Sequence, residues 1–150
     1  MAVPTACFSR PIFPRPREPA AASIVVLATL QESCALLWAG DARCYLLRDG
    51  MMRCLTRDHV EIGLRRTLSR AIGLRGHLVP EVLSGGLQVG DRLLLCSAPL
   101  PSAVSERSIA EILLSATIEK AADILVQEGL IANCRDNLSA IVIDVKTDEP

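Results

Sequence analysis

The chain has 150 residues, half of them apolar, and a net charge of −1. At that length one domain buries about 70% of the surface of its unfolded chain, and near-neutrality excludes electrostatic capture of nucleic acid or an anionic membrane. With two Phe, one Trp and one Tyr the core must be aliphatic, and six cysteines without a CxxC pair read as buried free thiols of a reducing compartment rather than a disulfide framework or a zinc site.

Residues 1–20 hold five of the nine prolines together with Arg10, Arg15 and Arg17. Proline at this density blocks helix and central strand, so the segment reads as an extended arm, either a disordered tail or, alternatively, one that docks Phe8 and Phe13 on an apolar surface. The domain proper is expected over 21–147. No charged n-region precedes an apolar h-region, and the longest apolar run, AAASIVVLATL, is about half a membrane span. The expected location is cytoplasmic, with no membrane partner.

From residue 21 the pattern turns to strands. ASIVVLATL is β-branched and apolar, Gln31-Glu32-Ser33 turns, and CALLWAG follows as a second strand. In RCYLLRDGMMRCL two apolar runs flank Asp49-Gly50, a pair suited to the left-handed angles of a tight hairpin. Together these strands predict a meander. Ile62, Leu64, Leu68, Ala71 and Ile72 fall at loose helical spacing and predict a helix over 59–73, ended by Gly73. A short strand is expected around 79–83 and a stronger one at DRLLLCS, after which the chain turns through Ala98-Pro99-Leu100-Pro101. VSERSIAEILL predicts a helix capped by Ser105, and TIEKAADILVQEGL a second one closed by Gly129. LSAIVIDV (138–145) reads as a buried strand. Strands, then helices, then a returning strand give an α+β fold with helices packed on antiparallel sheet.

Five segments, read in order, carry a resemblance. AGDARCYLLRDG, CLTRDH, TLSRAIG, DRLLLCSAPL and CRDNLSAIVIDV resemble, in family order, successive motifs from the C-terminal half of the type 2C (PPM) metal-dependent Ser/Thr protein phosphatases. The resemblance covers roughly residues 22–146 and implies a β-sandwich of two antiparallel sheets with helices outside. It implies two-metal hydrolysis, in which magnesium or manganese held by carboxylates activates a water. Asp136, beside Asn137 in the RDN motif, matches a metal-binding aspartate of the family, although Asp-Asn also suits a turn. Asp41 in GDAR resembles an auxiliary metal position or, equally, a tight-turn residue. Arg43 is expected to brace the sheet, and Asp58 and His59 to brace a loop.

The departures from the family pattern are large. Where the family's CSDGL places an aspartate ligand at the strand end, this chain has Ala98, followed by Pro99 in place of glycine. A methyl group cannot coordinate a hard cation. Nothing in residues 1–20 resembles the family's early arginine or its DGxGGH motif, and Asp41 is the first aspartate in the chain. The stretch between His59 and Thr67 is short, which implies a reduced flap. The resemblance therefore points to a degenerate, N-terminally truncated, non-catalytic relative, a pseudophosphatase acting by protein binding in signalling or secretion regulation. No cofactor and no nucleic acid is expected, and a protein partner or self-association through exposed sheet edges is. The alternatives are an active Mg²⁺- or Mn²⁺-dependent phosphatase with a remodelled centre, in which Glu32, Asp91 or Glu106 assists Asp41 and Asp136, or the C-terminal fragment of one.

Overall fold

A computed structural model describes residues 20–63, 66–74 and 77–147, which leaves the proline-rich arm up to residue 19, with Phe8 and Phe13, outside the described residues. The strands are β1 (Ile24–Leu30), β2 (Ser33–Ala39), β3 (Arg43–Arg48), β4 (Met51–Cys54), β5 (Val60–Ile62), β6 (Arg66–Leu68), β7 (Glu81–Gly86), β8 (Arg92–Cys96) and β9 (Ala140–Asp144). Between β8 and β9 lie α1 (Pro99–Ala103), α2 (Glu106–Ser115) and α3 (Ile118–Ile131). All strand pairs are antiparallel: a sheet β1-β2-β7, a sheet β4-β3-β8-β9, and the small pair β5-β6. No helix among the described residues is long and apolar enough to cross a membrane.

Turn chemistry sets the two hairpins. Asp49 and Gly50 have φ of 51° and 75°, both left-handed, and their twist matches that of the strands they join. Gln31, at φ 52°, opens the two-residue turn between β1 and β2. The expected meander is nevertheless split between two sheets, because the chain changes layer after β2. Gly40, at φ 105°, makes the crossing. A Cβ there would lie 2.2 Å from Ser23 Oγ, so both the angle and the space require glycine.

Three layers result. One face of the four-stranded sheet meets the three-stranded sheet, around Leu36, Trp38, Cys44, Leu46, Leu93 and Leu95. Its other face meets the helices, around Tyr45, Leu47, Leu94, Leu100, Ile109, Leu113 and Leu125. Period-2 alternation along β3 and β8 sends neighbouring residues to opposite cores, which is why both strands are buried along nearly their whole length.

Several expectations are corrected. The stretch 59–73 is not a helix but β5, β6 and an isolated bridge from Ile72 to Ala22. β-Branched Val60, Ile62 and Thr67 favour strand, and Ser69 N–H donates to His59 O at 2.9 Å. β7 begins at Glu81, two residues later than expected. Pro99 does not simply turn the chain; it opens α1, where a missing N–H costs nothing. Gly129 does not close α3. It is buried within the helix, because a Cβ there would meet Leu138 Cδ1 at 2.6 Å, and the helix runs on to Ile131 before Asn133 adopts φ 65°. β9 is a sheet edge rather than a fully buried strand, with Ile141 exposed.

Candidate functional site

At one side of the sandwich the edges β1 and β9 stand apart, and a cleft of about 860 Å³ opens between them. Ile24 and Val25 wall it from β1 and Ile141 from β9. Its floor is the end of β8 and the start of α1, from Leu95 to Pro99, and its rim carries Asp41 and the segment Cys134–Asp136. Fold and motif thus agree on one place: Asp41, Ala98 and Asp136, far apart in the chain, line a single cavity. Asn137 does not line it. Its carbonyl accepts from Ser97 Oγ at 3.4 Å, while Ser97 N–H donates to Ser139 O at 3.1 Å and Ser139 N–H to Ser97 Oγ at 3.0 Å. These bonds fasten the β8 end to the loop that carries Asp136.

Each position has a local cause. Asp41 follows Gly40 at the layer crossing. Ser23 Oγ donates to its Oδ1 at 2.7 Å, and its own N–H donates to Ser23 Oγ at 3.2 Å. Ser23 was not singled out from sequence, because nothing in the chain order announces a contact eighteen residues away. Ala98 sits at the helix N-cap with αR angles and no side-chain cap; its carbonyl accepts from Ser102 Oγ at 2.9 Å. Its methyl group leaves the strand end without an acid.

The neighbouring polar residues have structural work. Arg43 forms a two-pronged pair with Asp58, Nε to Oδ1 and Nη2 to Oδ2 both at 2.9 Å, and Nη1 donates to Tyr45 Oη at 3.1 Å. Asp58 holds the Arg43 guanidinium above even its ordinary range, against the opposing pull of burial. Tyr45 Oη donates to Glu106 Oε1 at 3.2 Å. The expected bracing role of Arg43 is thus met. His59 is buried, stacks on Trp38 with ring centroids 6.2 Å apart, and accepts from Gly40 N–H at Nδ1. Its Nε2 lies 3.1 Å from Glu81 Oε1 but too poorly aligned to form a hydrogen bond. Loop bracing describes both Asp58 and His59.

What could this donor set hold? Among the described residues no group of three or more His, Cys, Asp or Glu side chains is placed to hold a metal ion. Asp41 and Asp136 are the carboxylates of the cleft; Glu32, Asp91 and Glu106 do not line it. Asp91 is committed elsewhere, to Arg48. Burial pushes the Cys96 thiol up to about 12, so it offers neither a thiolate nucleophile nor a soft ligand. Hard divalent ions take several oxygen ligands each, and the described residues do not fit a binuclear centre.

No family model matches the chain. Individual proteins do. The Ser/Thr phosphatase Stp of Listeria innocua is 29% identical over 140 residues, covering 81% of this chain and 56% of the relative. The solved structure of PppA, a key regulatory component of the type VI secretion system in Pseudomonas aeruginosa, superposes with a TM-score of 0.78 at 28% identity, covering 81% of this chain and 56% of that one. The catalytic domain of the phosphatase PstP, solved with two manganese ions, gives 0.76 at 27% identity over 85% of this chain and 60% of that one. The chain thus spans somewhat more than half of each of these relatives. Motif order, layer architecture and these relatives agree: the homologues and structural neighbours of this chain are type 2C (PPM) Ser/Thr protein phosphatases, and it is similar to the C-terminal part of their fold.

Proposed function

We propose that this chain is a non-catalytic member of the family, acting in the cytoplasm by binding protein partners in signalling or secretion regulation. One observation carries the reading: the end of β8 presents Ala98 to the cleft between Asp41 and Asp136. Two carboxylates cannot neutralise two divalent ions. Without the metals the cleft lacks the means to activate a water, and it remains a largely apolar groove open along two strand edges. The kinship with PppA, itself described as a regulatory component of a secretion system, supports placing the role in regulation.

The test is hydrolysis of an aryl phosphate and a phosphothreonine peptide with Mg²⁺ and Mn²⁺ titrated, beside an Asp136→Asn control. The expected result is no turnover above that of the control. Metal-dependent turnover that disappears in the control would overturn the reading and assign a rebuilt centre to this cleft.

A further inference from the structure

The buried polar side chains among the described residues are Asp91 and His59. Asp91 is gripped by the guanidinium of Arg48. His59 is held through Nδ1, which accepts from Gly40 N–H at 3.3 Å. That bond makes Nδ1 the bare nitrogen of a neutral ring and puts the hydrogen on Nε2. Nε2 faces Glu81 Oε1, at the start of β7, at 3.1 Å but out of line for a hydrogen bond. The ring lies nearly parallel to Trp38, at 10°, so it cannot swing away without giving up that stack. One imidazole therefore stands between two elements, the layer crossing at Gly40 and β7.

A second proton on this ring must enter at Nδ1. There it meets the Gly40 N–H, and a donor set against a donor repels where a bond had been. The same proton makes the ring a cation, and Nε2–H then faces a carboxylate at the distance of a charge-assisted bond. The Glu81 side chain is 40% exposed, so its carboxylate has room to turn into line. Gly40 has none, because its φ of 105° and the close approach of Ser23 fix its place. Protonation thus exchanges the partner of His59, from Gly40 to Glu81. The other charges around the ring are accounted for. Arg70, beyond β6, stands 3.5 Å from the same Glu81 oxygen and competes for it. Asp58, the preceding residue, is engaged by Arg43, and Asp41, next to Gly40, is bonded to Ser23. β2 and the crossing present the neutral groups of Trp38 and Gly40.

The backbone does not part in this exchange. His59 N–H still donates to Gly40 O at 2.8 Å, and Ser69 N–H to His59 O at 2.9 Å, so what is released is the Gly40 amide. The next residue is Asp41, bonded to Ser23 through both its N–H and its carboxylate at the rim of the cleft. We propose that His59 is a proton-operated latch on the layer crossing. Neutral, it holds the Gly40 amide and with it the seat of Asp41; protonated, it lets that amide go and takes Glu81 instead. The latch belongs to the fold and works whether or not the cleft hydrolyses phosphate.

Nuclear magnetic resonance of the full chain tests it, and with two histidines, His59 and His77, the ring signals are assigned by a single His77→Gln variant. At about pH 8 the His59 ring nitrogens are expected to show the Nε2–H form. As the pH is lowered toward about 5, the Gly40 and Asp41 amide signals should move with the same midpoint as the His59 ring. Exchange of the Gly40 amide, corrected for its intrinsic pH dependence, should quicken about tenfold, the loss of one hydrogen bond. His59→Asn offers Gly40 an amide oxygen that does not take up a proton, so it should abolish the response, and His77→Gln should leave it unchanged. An Nδ1–H form at the higher pH overturns the proposal. So does a His59 ring that does not titrate before the protein unfolds, or one that titrates while Gly40 and Asp41 stay still. A response that persists in folded His59→Asn belongs to another group and overturns it equally.

Discussion

Arg92 serves two elements with one guanidinium. Nε and Nη2 bind Asp144 at 2.5 and 2.9 Å, and Nη1 donates to Leu113 O and Ala116 O at 2.6 and 2.7 Å. It thereby ties β8 to β9 and satisfies carbonyls at the end of α2 that the helix itself leaves open. Arg48 makes a similar fork to the buried Asp91, at 2.7 and 2.6 Å. The two guanidinium groups, through these hydrogen bonds, hold the carboxyls of Asp144 and Asp91 below the usual carboxylate range, with burial opposing. A carboxyl depressed in the folded state contributes stability that is full above its unfolded value and is lost as pH falls through the folded one. Stability is therefore expected to decline below about pH 4, the unfolded aspartate value. Asp144→Asn should cost about 1–3 kcal/mol near neutral pH, the range for a charge-assisted hydrogen-bonded group. In urea titrations the gap between variant and wild type should narrow toward about pH 3; a constant gap would assign the loss to packing instead.

At the scale of elements, α2 begins where Ser105 Oγ accepts from Ser108 N–H at 3.1 Å, with Glu106 in the first turn. Ser105→Ala should lower the unfolding free energy by about 1 kcal/mol with an unchanged denaturant slope, since the cap sits at the surface. This cap was legible in the sequence, as was the Asp49-Gly50 hairpin, because each is a local device whose residues and angles belong together. The stretch 59–73 was not. Its apolar residues fit a helix in isolation, and what makes it extended is the bridge to Ala22 and the bond back to His59, contacts that no local window contains. α1 was hidden by the opposite error. Pro99 and Pro101 read as breakers, yet both lie in the first turn, where no N–H is required. The cleft residues Asp41, Ala98 and Asp136 were legible through motif order, while Ser23 became visible only when the layer crossing brought it to Asp41.

Over the whole molecule, β3 and β8 serve both cores, Leu46 and Leu93 on one face, Leu47 and Leu94 on the other. Neither core survives without the shared sheet. Trp38, the single tryptophan, reports the inter-sheet core, and far-ultraviolet dichroism reports the helices. Their urea transitions should coincide, and a separation would show that the helical layer unfolds on its own. A last consequence lies at the layer crossing. Ser23 stands one residue before β1 and grips Asp41 by two hydrogen bonds, and Gly40 leaves no slack between them. The carboxylate on the rim of the cleft is thus bonded to the root of β1. Ser23 thereby ties the start of β1 to the placement of the Asp41 carboxylate at the mouth of the cleft.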